Sequence, residues 1–297
     1  MLKRILVPLD GTPESERAAD YALMLARMAG AELRLLHVLE PIAVLVAGLA
    51  DEPVPEIVRE PAAYLHGIER RARAAGITCD ARIREGHVHE QILAEIDAWL
   101  PDMIVMMTHA YSGTTRFWIG SVAQELVLGS DRPLVLLRAG IDVPARITRM
   151  LVCLDGSPVS EGVLPLAREL ASVLRVPVTL ATVVPLAAAP GERNGITPSG
   201  LVPALTTGCD NAGEYLGGLI DTLNAEGIAA DAEVILGGDA AECLVDFARS
   251  DPGALLAIAT HGRSGIARAL LGSTAERVIA HAGQPVLLLR PQHVEAP

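Results

Sequence analysis

The chain has 297 residues, 51% of them hydrophobic, and a formal net charge of −12. That length allows two domains, each able to bury a core without disulfides or metals. The negative balance argues against a nucleic-acid or anionic-membrane surface, because such binding rests on cationic contacts to phosphates.

The N-terminal Lys3 and Arg4 precede only a few apolar residues before Pro8 and Asp10. That stretch is too short for a signal peptide, so a cytoplasmic chain is expected. "RILVPLDGTPESE", 4 to 16, reads as an apolar strand ending at Asp10 and turning into a helix. The apolar run "PIAVLVAGLA", 41 to 50, is about half of the roughly 20 residues that cross a bilayer, so no transmembrane helix is expected. "HVHEQILAEIDAWL", from His87, reads as the beginning of a helix, in which His87 and His89 do not share a face. They make a poor metal site, and no metal is assigned. "THAYSGTTRFWIGS" follows at 108 to 121, then the apolar strand "RPLVLLR" at 132 to 138. "AGIDVPARIT", 139 to 148, has the Gly and Pro of a short linker.

Beyond that linker the chain repeats itself. "RMLVCLDGSPVSE" at 149 to 161 matches residues 4 to 16 at an offset of 145, pairing Asp155 with Asp10. Later the offset is 152, pairing "THGRSGIARALLGST" at 260 to 274 with the segment from Thr108, and "QPVLLLR" with "RPLVLLR". In the second copy the predicted elements are a strand at 149 to 154, a helix at 158 to 174, a strand at 177 to 184 and a helix at 210 to 226. A strand at 230 to 236, a helix at 239 to 250, a strand at 254 to 259, a helix at 273 to 282 and a strand at 285 to 290 complete it. Strands such as "LLAIA" and "VLLL" are apolar throughout, as in a parallel sheet covered on both faces. The expected fold class is α/β: two tandem doubly wound domains, 1–140 and 147–292, each a five-stranded parallel sheet with helices on both faces.

In such a sheet a ligand lies beyond the carboxyl ends of the strands, where strand order reverses. Two segments of the second copy fall there, "LDGSP" and "ATHGRSGIARALLGST". Gly262 and Gly265 let the backbone approach a ligand closely. Gly272, Ser273 and Thr274 begin the last helix, whose unpaired N–H groups and dipole suit a phosphate. Lys3 is the only lysine, so a phosphate here must be held by such amides, by hydroxyls or by arginine. Equally, Gly272 and Ser273 could serve only to turn and cap a helix. Asp155 could accept hydrogen bonds from a ribose or base, or simply orient the turn before Pro158. His109 and His261 have no partner at triad-like or metal-ligand spacing, and a structural role is favoured for them. Arg263 and Arg268 could reach phosphates or be solvated. Cys79, Cys153, Cys209 and Cys243 show no CxxC spacing, so reduced and mostly buried thiols are expected.

The order of an "ILVPLDGS"-like first strand, a "THGRSG" loop, an "LLGS" helix start and a "PVLLLR" last strand resembles the universal stress proteins in their tandem two-domain form. The resemblance covers nearly the whole chain, twice, and implies an adenine-nucleotide α-hydrolase-like fold. Nucleotide-binding members carry Gly-x2-Gly-x9-Gly-Ser/Thr after the fourth strand and an Asp ending the first. Carried over, the second copy has Ala259, Gly262, Gly272 and Ser273, with Asp155, so its first glycine is an alanine. The first copy has Met107, Ala110, Gly120 and Ser121, with Asp10, and two of its three glycines are gone.

The resemblance thus implies ATP, with Mg as a companion ion, in the second domain, its triphosphate on Gly262, Gly272, Ser273 and Thr274 and its adenosine near Asp155, Val183 and Ile258. A weaker site in the first domain would use Asp10, Val38, Gly120 and Ser121, obstructed by Met107 and Ala110 and made bulkier by Tyr111, Phe117 and Trp118. It further implies last strands, 133 to 137 and 285 to 289, that pair edge to edge between the domains, and further pairing into a homodimer. The Pro- and Gly-rich 185 to 208 reads as a flap over the second site or as a surface loop. A regulatory ATP-binding protein with slow or no hydrolysis is expected, since no evident base or Walker lysine accompanies the phosphate groups. The alternatives are a structural or interaction module holding no ligand and, behind it, an adenine-nucleotide enzyme, which needs a cationic cluster on the departing phosphates and for which the strand-end segments offer arginines but no HIGH-type or SGGxDS loop.

Overall fold

The computed structural model describes residues 2–40, 60–108, 120–186, 198–260 and 271–290. It divides into two units, Met1–Arg146 and Ile147–Pro297. The first runs β1 (Arg4–Leu9), α1 (Pro13–Ala29), β2 (Glu32–Leu39), α2 (Pro61–Ala74), β3 (Cys79–Glu85), α3 (Val88–Trp99), β4 (Met103–Thr108), α4 (Ser121–Gly129) and β5 (Leu134–Arg138). Its strands are parallel in the order β3-β2-β1-β4-β5. The chain winds outward from β1 and then returns to β1's other side, so the order reverses between β1 and β4.

Ile5, Leu6 and Val7 of β1 and every residue of β4 are buried, which is why these strands read as unbroken apolar runs rather than alternating ones. The helix that follows β1 starts where its cap allows. Thr12 accepts a hydrogen bond from the Ser15 amide, and Pro13 takes a first-turn position, where a missing N–H costs nothing. Gly30, at φ 68°, closes α1 in the left-handed region and donates its N–H to Ala26. Between these caps α1 buries Ala18, Ala19, Tyr21, Ala22, Leu25 and Ala26, one stripe at helical spacing.

The second unit runs β6 (Arg149–Leu154), α5 (Pro158–Glu161), α6 (Leu164–Leu174), β7 (Val178–Pro185), α7 (Pro198–Ala225), β8 (Ala230–Gly237), α8 (Ala240–Ala248), β9 (Ala254–Ala259), α9 (Ser273–His281) and β10 (Val286–Leu289). Its parallel order is β8-β7-β6-β9-β10, with the reversal between β6 and β9. Each unit is therefore the doubly wound α/β architecture that the apolar strand pattern called for.

Two elements depart from expectation. The helix predicted over 158 to 174 is split into α5 and α6. Pro165 lacks an N–H, and in a continuous helix its ring would crowd the carbonyl of Glu161; the first copy carries Asp20 at the matching place and stays whole. The helix predicted to begin at 210 starts instead at Pro198, so the end of the 185 to 208 stretch is helical. Proline suits a helix's first turn, and the C-terminal half of α7 is fixed by burying Leu216 and Leu223 against its own sheet. The α6 terminus also differs from that of α1: Arg175 takes the left-handed conformation, φ 56°, that Gly30 takes in the first copy.

Candidate functional site

The carboxyl end of β6 delivers Asp155 into a turn that Gly156 enters at φ 77°. Asp155 Oδ1 accepts from the Ser157 amide at 2.9 Å and from Ser157 Oγ at 2.6 Å. Ser157 caps α5 by accepting from the Ser160 amide at 3.1 Å, and Ser160 Oγ donates to the Ser157 carbonyl at 2.9 Å. The first copy builds the same turn: Asp10 Oδ1 accepts from the Thr12 amide at 2.9 Å and from Thr12 Oγ1 at 2.7 Å. The turn-orienting role of both aspartates is thus in place.

Across the strand-order reversal, β9 ends at Ala259 and is followed by Thr260, which is 1% exposed. The Thr260 amide donates to the Leu289 carbonyl at 2.9 Å, and the Thr260 carbonyl accepts from the Gly272 amide at 2.6 Å. This second bond ties the last helix to the strand end. Gly272 is the N-cap of α9 and brings no side-chain hydrogen bond to its first-turn amides. Ser273 is the first residue inside the helix, so it does not act as the cap.

Between these two strand ends lies a cavity of about 320 Å³. Of the residues nominated from the sequence, it gathers Asp155, Val183, Ile258, Ala259, Gly272, Ser273 and Thr274. Gly262, Gly265, His261, Arg263 and Arg268 lie outside the described residues, as do His109, Ala110, Tyr111, Phe117 and Trp118. The wall also includes residues that the sequence did not single out: Cys153 and Ser160 beside Asp155, Pro185 beside Val183, and Ala240 and Leu244 of α8. Offset 152 pairs Leu244 and Ala240 with Ile92 and Val88, which line the first unit's cavity, so the two walls correspond, but nothing in the sequence marked either pair. Burial pushes the Cys153 thiol up to about 12, leaving it protonated and apolar in character. The cavity therefore has an aliphatic flank on α8, β7 and β9 and, at one end, a helix start whose amides receive no side-chain cap from Gly272 or any other described residue.

The first unit has a corresponding but smaller cavity, about 120 Å³, whose wall includes Asp10, Val38, Met106, Met107, Val88 and Val122. Gly120 and Ser121 are not part of that wall. At offset 152, Met107 stands where the second unit has Ala259, Val88 where it has Ala240, and Val122 where it has Thr274. Each exchange adds apolar bulk or removes a hydroxyl. Gly120 also sets α4 off differently, at φ 93° against −60° for Gly272.

Among the described residues no group of three His, Cys, Asp or Glu side chains is placed to hold a metal. His87 is the N-cap residue of α3 without a side-chain cap bond, and its ring stacks at 6.5 Å on that of His89. Cys79 and Cys153 are buried, Cys209 and Cys243 half-buried, and all four are free thiols. Among the described residues no helix is long and apolar enough to cross a membrane.

The profile of the Universal stress protein family matches residues 1–138 and again 146–290. The chain belongs to the universal stress protein family. It carries the family fold twice, as a tandem two-domain member. A universal stress protein of Mycolicibacterium smegmatis is 26% identical over 306 residues, spanning 97% of this chain and 97% of its own. A Thermus aquaticus universal stress protein is 32% identical over 149 residues, 46% of this chain and 100% of its own. Among solved structures, a universal stress protein of Archaeoglobus fulgidus superposes with a TM-score of 0.69 at 18% identity, covering 99% of this chain and 98% of that one.

Proposed function

We propose that this universal stress protein binds an adenine nucleotide, ATP, in its second unit and acts through that binding as a regulatory or stress-response protein. The observation that carries the reading is the cavity between the ends of β6 and β9, where an apolar wall meets the open start of α9. Its volume of about 320 Å³ lies at the lower end of the roughly 300–1,000 Å³ of small-molecule sites, enough for a nucleoside with its phosphates reaching outward. The uncapped amides of α9 and the hydroxyls of Ser273 and Thr274 are donors suited to phosphate oxygens. Val183, Ile258 and Leu244 would flank a base, and Asp155 would face a ribose. Gly262 belongs to the same reading as the close-approach glycine of the loop.

This chemistry is that of holding a nucleotide rather than turning it over. The residues around the cavity provide donors and apolar contact, and the carboxylate among them, Asp155, is engaged by its own turn through Oδ1. A bound magnesium ion would travel with the nucleotide's phosphates. The first unit, with a cavity of about 120 Å³ and Val122 in place of Thr274, is proposed to leave that role to the second. A homodimer through the last strands belongs to the same proposal.

Calorimetry on the full chain tests the reading: one ATP per chain is expected. Ser273→Ala combined with Thr274→Val should weaken binding about tenfold or more, whereas Ser121→Ala should leave it unchanged. Full-length protein that takes up no ATP, or that loses it equally with Ser121→Ala, would remove the proposal. Sedimentation equilibrium giving the monomer mass would remove the dimer.

A further inference from the structure

One ion pair joins two of the helices that wall the second cavity. Arg277 of α9 meets Asp239, the N-cap of α8, through Nη1 and Oδ2. Asp239 uses its other oxygen to cap α8, accepting from the Glu242 amide at 3.0 Å. The pair joins the starts of two helices that both contribute to the cavity wall, α8 through Ala240 and α9 through Ser273, Thr274 and Ala275. Arg277 lies four residues after Ser273, so the two share a helix face, and helical side chains slope toward the N-terminus. Arg277 and Asp239 do not line the cavity themselves but stand one turn from Ser273 and next to Ala240, which do, and both partners are partly exposed, at 45% and 38%.

The internal repeat gives an independent comparison. At the same offset of 152, the first copy has His87 in place of Asp239 and Glu125 in place of Arg277. The unit with the small, apolar cavity thus carries an acid where the other carries a guanidinium. A pair kept only to brace two helices would be as useful in either copy; a cation beside an anion site is useful in one.

We propose that Arg277 is a specificity-determining residue of the nucleotide site, held by Asp239 until a polyphosphate competes for its guanidinium. This rests on the nucleotide reading above and deepens it. Arg277 favours ligands with a long anionic tail, because a single phosphate is served by the amides of α9 alone, whereas outer phosphates reach the side chain one turn further along. Asp239 tempers that preference, since its carboxylate must be displaced. Glu276, in the first turn of α9, adds a fixed negative charge that makes a cation here more consequential.

The experiment measures the affinities of full-length wild type, Arg277→Gln, Arg277→Lys and Asp239→Asn for ATP and for adenosine. Asparagine keeps the α8 cap while removing the charge. Arg277→Gln should lower the ATP-to-adenosine affinity ratio about tenfold, since charge-assisted hydrogen bonds are the strong ones. Arg277→Lys should retain most of the ratio, and Asp239→Asn should raise it severalfold by releasing the guanidinium. Melting curves separate a loss of fold from a loss of contact, and the lysine variant keeps the test informative if Arg277→Gln unfolds. A ratio that Arg277→Gln leaves at the wild-type value, or that Asp239→Asn lowers as much as Arg277→Gln does, overturns the inference while leaving the nucleotide reading intact. Wild type that binds neither ligand overturns both.

Discussion

Individual residues separate the two copies more sharply than their folds do. Thr274 and Val122 occupy the same helix position and differ by a hydroxyl, and Ala259 and Met107 occupy matching positions near the carboxyl ends of β9 and β4 and differ by a long side chain. These exchanges reduce the donors and the room that a phosphate would need. Asp239 shows a charge tuned by its surroundings. The Glu242 amide, and then the Arg277 guanidinium, hold its carboxyl below the usual carboxylate range, with slight burial opposing them. A carboxyl lowered in the folded state contributes stability that is fully present above the unfolded pKa of about 4 and disappears as pH falls through the folded value. The melting temperature of wild type should therefore exceed that of Asp239→Asn at neutral pH, and the difference should close in acid below about pH 4. A gap that persists unchanged at pH 2.5 would show that the charge is not its source.

Elements show what can be read from a sequence and what cannot. The strands were legible because burial on both faces leaves uninterrupted apolar runs, and β9, predicted at 254 to 259, falls on those residues. The turn after the first strand of each copy was legible in its Asp-Gly-Thr/Ser-Pro pattern, which the structure turns into paired hydrogen bonds and a cap. The split between α5 and α6 was less visible, because a proline four residues beyond Glu161 acts through a steric contact that apolar periodicity does not register. The start of α7 was hidden by its Pro- and Gly-rich composition. Much of the cavity wall was hidden for another reason: Cys153, Ala240 and Leu244 are ordinary core residues in sequence, and only the topology brings them beside Asp155. The end of β8 carries a related constraint. A Cβ added to Gly237 would fall 2.0 Å from Cys243 Sγ, so Gly237→Ala obliges that thiol to turn to another rotamer and should destabilise the chain by about 0.5–1.5 kcal/mol. Adding Cys243→Ala should recover part of that loss in a denaturant titration, and a double variant no better than the single one would locate the strain elsewhere.

At the scale of the whole molecule, duplication gives a chain that holds its own control. Both units share the strand order, the Asp turn and the N-cap hydroxyl, so differences in ligand behaviour trace to the few positions that diverge. Met107→Ala together with Val122→Thr should enlarge the first cavity and restore a hydroxyl. Under the nucleotide reading, full-length protein should then bind ATP in a second, weaker event by calorimetry. An unchanged stoichiometry would place the obstruction in other residues of the first unit.

The left-handed terminus of α6 bears on how much room for improvement the duplicated chain retains. A non-glycine residue at φ 56° costs roughly 1–2 kcal/mol relative to an unstrained backbone, and the first copy's solution, Gly30, is already written 145 positions upstream. Arg175→Gly is thus a ready thermostabilising substitution, expected to raise the unfolding free energy by up to about 1 kcal/mol after the greater freedom of an unfolded glycine is subtracted. Each half of such a protein can serve as a template for engineering the other.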